Sequence, residues 1–571
     1  MLKKSLLIVL CLTASMFISQ GQEKKPLDFS VYDGWKYIED EGISNNGEWV
    51  FYEVNPYKGD GNLFIWSAGN EDKHVFPRGT RARFAPTSEF VAFTIKPFTD
   101  TVRQMKLDKV PSKKLPKDSL GIYLLEDNKS IRIPAVKSYS LAQKASNWIV
   151  YQIEKPSPEN GDQKDKKKEK TFDKTAPEAT GLVIMNPIEN EEYRFDDVTE
   201  YTISEEGNLI SFIQLQNDSL LKSSVYAFDT GKKEAGLLFD AEGLSKNLTV
   251  DHQGDQLAFI HSPDTIKTKV YELYHWNGKQ APQKIVDTLT NAIPEKWTVG
   301  EHGRIYFSDN DERLFFGTDL RPVPEPKDTL LEEEKVKLDV WNWKDKLLQP
   351  EQLENVNREK RRTYLAVYHI DDDKVVQLAD QSLRDVDPIL DGNGDVAIGK
   401  DERPYLRRRS WESPGYEDIY LVDLNTGERK LIKEEIQSYI NISTGGKYFF
   451  WYAYADSNWY AHSIDENITR NLTGRLDVNF YNEDHDYPQD PRPYFFAGWT
   501  EDDEYLLLYD RYDIWKVDPS GKEKPQNLTG GFGRENHIRL RYAELDRDAK
   551  FINTKKDLFL SAFNEDTKAS G

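Results

Sequence analysis

Acyl transfer by a serine needs that serine on a sharp strand-to-helix elbow, which reads in sequence as Gly-x-Ser-x-Gly. This chain carries only halves of the pentad, at Gly42-Ile-Ser44 and at Gly243-Leu-Ser245. No β-α-β stretch is there to hold an elbow. Calcium chemistry has a closer match. Asp391, Asn393, Asp395 and Glu402 fall at the first, third, fifth and twelfth positions of an EF-hand loop. The sixth position, which must be glycine for the turn, is Val396. The acidic pair Glu205-Glu206 could hold a substrate amine, although it lies in a turn, where charged residues are the default. His369 in a strand and His485 in an acidic loop could each be ligands, but the nine histidines contain no His-x-x-x-His pair. A lone histidine is more often a packed or surface residue. Gly-rich phosphate loops are missing. The expectation is therefore no catalytic residue, no metal site and no cofactor, with substrate-binding residues unknown.

The elements around these residues come from one repeated pattern. A small or polar turn, often Ser-x-x-Gly, is followed by alternating apolar and aromatic residues. Nine copies begin at Ile43, Phe84, Ala142, Ile203, Val250, Phe307, Leu390, Ile442 and Trp499. A second strand, a turn and a third apolar run follow most copies, as in Asp418–Asp423, Asn425–Glu428 and Lys430–Lys433. Two copies close on the same phrase, Asn471-Leu-Thr-Gly474 and Asn527-Leu-Thr-Gly530. The six Asn-x-Ser/Thr sequons, at Asn217, Asn247, Asn441, Asn467, Asn471 and Asn527, carry little weight as glycan acceptors, because Asn-Leu-Thr is part of the pattern. Strand-turn-strand units at roughly 40–60 residues are the signature of propeller blades, which bury their faces only against each other. The expected fold is all-β, a propeller of about eight four-stranded blades within a range of seven to nine.

Two inserts break the period. Residues 155–176 are a charged loop without apolar periodicity, and residues 319–362 lie within one blade. In the second insert, Asp339–Trp343 reads as a strand and Gln349–Arg361 as a polar helix, with the strand pattern resuming over Thr363–His369.

Composition narrows the partners. The chain has 571 residues, a formal charge of −22 and 38% hydrophobic residues, with a pI near 5.0 and a mean hydropathy of −0.72. Such acidity disfavours nucleic acid and anionic membranes. Residues 1–21 read as a cleavable signal peptide: Lys3 and Lys4, an apolar run to Ile18, then the small residues of Ser19-Gln20-Gly21. Ile8-Val9-Leu10 lacks the small residues that precede a lipidated cysteine, so no lipoprotein is expected from Cys11. Cleavage would remove this only cysteine. The expectation is a periplasmic or secreted protein without disulfides, and without membrane insertion once the signal is cleaved.

The repeat, the signal peptide and the stretches Leu338–Asp345 and Asp484–Asp518 resemble one family. The chain is similar to the N-terminal propeller of exported bacterial prolyl-oligopeptidase-family serine peptidases, of the dipeptidyl-peptidase-IV and acylaminoacyl-peptidase kind. That resemblance implies a propeller over residues 22–571 that gates peptide access to a C-terminal α/β-hydrolase domain. No such domain is in this sequence, so the propeller is expected to be incomplete at its C-terminus, with no terminal turn or closing strand at Gly571, and inactive alone. Peptide substrate in the intact enzyme is the implied partner, and a homo-oligomer is compatible with this reading. The alternative is a stand-alone TolB-like propeller that binds a protein, and a third reading is an inactive subunit docked on a separate hydrolase chain.

Overall fold

A computed structural model describes residues 28–69, 72–154, 173, 176–324, 329–336, 338–437, 440–546 and 549–571. The expected signal peptide, and the charged insert except for 173 and 176, lie outside the described residues. By compactness the chain forms two units. One holds the residues before 155 together with Gly181–Arg194, and the other holds 173, 176–180 and Phe195–Gly571.

Each repeat copy joins the first two strands of an antiparallel set. The strands Lys36–Ile43, Trp49–Pro56, Asn62–Ser67 and Lys73–Pro77 pair antiparallel in chain order. The same order recurs over Gly79–Ile133, Leu244–Val286, Asp385–Gln437, Asn441–Asn471 and Phe496–Asn527. One 13-residue strand, Glu191–Ile203, closes one such set and opens the next. The copies all fall between the first and second strands of their sheets, as the pattern predicted.

The turn itself explains the sequence phrase. In seven copies the fourth position takes a left-handed backbone: Gly47, Ser88, Gly207, Gly254, Asp311, Gly446 and Asp503 all have φ between 53° and 78°. Glycine adopts this at least steric cost. In six copies the first position is a buried serine, threonine or aspartate that plugs the turn: Ser44, Ser204, Asp251, Ser308, Ser443 and Thr500. Ser44 Oγ accepts the amide of Trp49 at 3.0 Å, Ser443 Oγ that of Tyr448 at 2.9 Å and Thr500 Oγ1 that of Tyr505 at 2.9 Å.

Copies without glycine gain a contact in exchange. Ser88 Oγ accepts the amide of Asn46 at 3.2 Å, from the turn before. Asp311 does the same for the His252 amide at 3.1 Å. Asp503 is the fullest case, taking Ser443 Oγ at 2.6 Å and the amides of Gly445 at 2.8 Å and Lys447 at 3.1 Å. Replacing Asp503 with alanine leaves these donors without a partner. It is expected to lower stability by about 2 kcal/mol, read as a shifted urea midpoint with unchanged slope.

Successive sheets pack face to face, so their second strands are buried on both sides. Leu257–Ser262 and Leu506–Tyr509 are buried throughout. In the second unit, Ala258 and Leu273 meet Phe316 and Ala366 of the next sheet. Val367 and Val376 then meet Ala397 and Val422, and Phe450 and Tyr452 meet Trp499 and Leu506. The first unit does the same through Leu63, Ile65, Val91 and Phe93.

Two expectations need correction. Asp339–Trp343 is not a strand. It has no partner strand, and its side chains face water, with Trp341 65% and Trp343 82% exposed. Side chains hold it instead: Gln349 Nε2 donates to Asp339 Oδ1 at 2.9 Å, and Arg407 Nη2 to the Trp343 carbonyl at 3.1 Å. The following helix does form, over Gln349–Glu359 with Pro350 in its first turn. At the chain end a terminal turn does form, within a sheet of two strands. The strands Ile538–Tyr542 and Leu560–Asn564 pair, the chain turns at Glu565–Thr567, and Ser570 bridges back to Phe563.

Candidate functional site

The residues with candidate chemistry go to separate places. Ser44 is the plug already described. Ser245 does meet a histidine, with Oγ 2.9 Å from His261 Nδ1. The other ring nitrogen lies 3.1 Å from the Glu242 carbonyl, not a carboxylate. Burial lowers the His261 pKa and keeps the ring neutral. A neutral ring donating from Nε2 to a carbonyl leaves Nδ1 to accept the Ser245 hydroxyl. Ser245 is itself 1% exposed, so this pair ties strands together and offers nothing to a substrate.

The calcium-like loop has each of its side chains engaged elsewhere. Asp391 is paired with Lys550, Asp395 with Arg313 at 2.6 Å and Glu402 with Arg409 at 3.3 Å. Asn393 Oδ1 accepts the Asn310 amide at 2.8 Å. Glu205 lies 3.9 Å from His252 Nε2, and His252 Nδ1 is 2.7 Å from Asp311 Oδ1. His369 Nε2 meets the Leu424 carbonyl at 2.9 Å, and His485 Nε2 the Gln489 carbonyl at 2.6 Å.

Side chains do converge elsewhere, on a surface that single motifs could not reveal. A cavity of about 590 Å³ is lined by Lys246 and Asn247, by Glu301–Ile305 and by Arg361. Asn247 sits at a break in strand register, between Lys246 and Thr249, with φ 55°. Its amide donates to the carbonyls of Glu301 at 3.0 Å and Gly303 at 3.2 Å, which fixes the floor. A second cavity of about 710 Å³ shares Arg361 and adds Arg358, Arg362, Asp385 and Glu402. Arg358 lies in the last turn of the helix Gln349–Glu359 and Arg361 and Arg362 follow it, where the helix dipole favours cations. Glu359 binds Arg362 at 2.6 Å and Arg384 at 3.3 Å. The hydrogen bond from Arg362 holds its carboxyl below the usual range.

No family model matches the sequence, and no curated protein matches it. Among solved structures, the chain is similar to the β-propeller domain of the Trilobed protease from Pyrococcus furiosus, at 13% identity and a TM-score of 0.28, covering 70% of this chain and 98% of that one. Pyrococcus horikoshii acylaminoacyl peptidase is 12% identical at a TM-score of 0.29, with 76% of this chain and 59% of that one covered. TolB from Acinetobacter baumannii is 10% identical at a TM-score of 0.24, with 63% and 77% covered. The chain thus spans less than two thirds of the acylaminoacyl peptidase. The fold itself is decided by the chain's own sheets, four antiparallel strands at a time and stacked face to face. It is a β-propeller.

Within the propeller, the basic cavities lie where the first strand of one sheet, Leu244–Val250, meets the segment opening the next. In sequence alone Arg358, Arg361 and Arg362 read only as the polar end of a helix. The available signal was four basic residues within five, Arg358 and Lys360–Arg362, interrupted only by Glu359. Among the described residues, no helix is long and apolar enough to cross a membrane.

Proposed function

We propose that this chain is the substrate-gating propeller of an exported serine peptidase of the prolyl-oligopeptidase family, acting on peptides. The observation that carries this reading is the family-like stretch Asp484–Asp518, which builds a charged joint. Arg511 binds Asp484 and Glu565 at 2.8 Å each, and so ties that stretch to the C-terminal hairpin. Phe559, whose carbonyl accepts the Ala543 amide at 2.9 Å, is 63% exposed, and Leu545 is 68% exposed. Apolar side chains exposed beside a rigid charged joint suit a covering domain. The propeller would act by limiting which peptides reach a nucleophile carried elsewhere, which is exclusion by size rather than transition-state stabilisation.

Exposure of Trp341, Trp343 and Trp411 favours a second reading, a TolB-like propeller that binds a protein partner. Two measurements test the first. Purified residues 22–571 are expected to take no fluorophosphonate label, and stoichiometric labelling would overturn the gating role. The native protein captured from its cell is expected to exceed this chain by a domain of about 250 residues. A mass equal to residues 22–571 would give the partner-binding reading the lead.

A further inference from the structure

We propose that the two cavities joined at Arg361 form an oxyanion-binding site, for the carboxylate of a peptide or for a phosphate. Five basic side chains line them: Lys246, Arg304, Arg358, Arg361 and Arg362. They face three carboxylates, Glu301, Asp385 and Glu402. Each carboxylate is already engaged. Glu301 binds Lys246 at 2.9 Å, Asp385 lies 3.7 Å from Arg362, and Glu402 binds Arg409 at 3.3 Å. Among the described residues, no carboxylate lies within ion-pair distance of Arg304 or Arg361. Arg304 instead rests over the Tyr306 ring, 4.8 Å from its centre.

Two surplus guanidiniums on a chain of net charge −22 are a local reversal of sign. A general attraction for cations would not place them there. A guanidinium presents paired donors that match a carboxylate or phosphate in bidentate fashion. Cavities of about 590 and 710 Å³ have the size of ligand sites. His302, which lines the first cavity, adds a third donor at the rim. The site itself stands on these residues alone, and only its peptide source rests on the gating reading.

The test uses purified residues 22–571 and three ligands: a labelled pentapeptide with a free carboxyl end, the same peptide amidated, and inorganic phosphate. Calorimetry or anisotropy reads binding at low and high salt. The free-acid peptide is expected to bind more tightly than the amide and to weaken with salt. Arg361→Ala is expected to cost about tenfold or more in affinity, and Arg361→Lys to recover part of it. Phosphate binding that falls in Arg361→Ala, with no peptide binding, supports the site with phosphate as its source. No binding of either anion at 10 mM (about the weakest affinity of interest), or binding unchanged in Arg361→Ala, overturns it. Arg361 is exposed, so the variant should fold, and matching thermal unfolding checks this. The label and mass experiments bear on the gating reading alone, so the two can fail separately.

Discussion

Replacing Phe316 with alanine is expected to lower stability by about 3–5 kcal/mol. Phe316 is fully buried in the strand Arg313–Leu320. It belongs to the cluster that joins two sheets through Ala258, Leu273, Ala366 and Tyr368. Two of these neighbours, Ala258 and Ala366, carry only a methyl group and cannot reach into the space. The cavity would persist, so the transfer loss and the cavity loss would add. Urea unfolding followed by tryptophan fluorescence reads the effect as a lower midpoint. A loss below about 1 kcal/mol, small for a buried phenylalanine, would mean that the sheets are not packed against each other here.

The second large effect is a gain, and it depends on pH. Asp251 plugs the turn of the fifth repeat copy, 2% exposed, and accepts the Asp255 amide at 2.8 Å. Burial first, and the nearby charge of Asp311 as well, push its carboxyl up to about 6. The folded protein therefore holds this proton more tightly than the unfolded chain does. Stability from this group is at its fullest below pH 4 and is lost as pH rises from about 4 to about 6. A shift of about two units is worth about 3 kcal/mol at neutral pH. Asparagine is neutral at every pH and keeps an oxygen for the Asp255 amide. Asp251→Asn is expected to be more stable than the wild type at pH 7.5 by up to about 3 kcal/mol, with the difference vanishing near pH 4. Equal stability of the two proteins at pH 7.5 would show that the carboxylate ionises in place without penalty.

Much of the fold was legible because turn chemistry is local. Ser-x-x-Gly encodes a plug at one position and a left-handed residue three later, and both act within the same hairpin. Asn-Leu-Thr-Gly is equally local. Asn471 Oδ1 caps the amides of Thr473 and Gly474, while Thr473 Oγ1 accepts the amide of Trp459 in the strand alongside. The misread segment, Asp339–Trp343, shows the limit. Its alternation of aromatic and polar residues is that of a strand, but a strand needs a neighbour to pair with, and pairing is not written in the segment itself. The basic cavities were illegible for a related reason. Arg304 and Arg361 stand 57 positions apart in sequence, and neither belongs to a motif. Only the unequal use of carboxylates by their neighbours marks them out.

The contacts from turn to turn reach one neighbour each. Asn208 Nδ2 meets the Gln253 carbonyl, His252 meets Asp311, and the Asn310 amide meets Asn393. These links join adjacent sheets, so the cohesion they supply adds up link by link, as in a chain of stacked repeats. A change inside one sheet is then felt by the sheets on either side and hardly beyond. This is why one sheet can carry some forty extra residues between its second and third strands, at Leu320 and Tyr364, while the turns on either side keep the same geometry. Modular cohesion of this kind lets new surface, such as the exposed tryptophans and the arginines of that insert, be added without redesigning the scaffold beneath it.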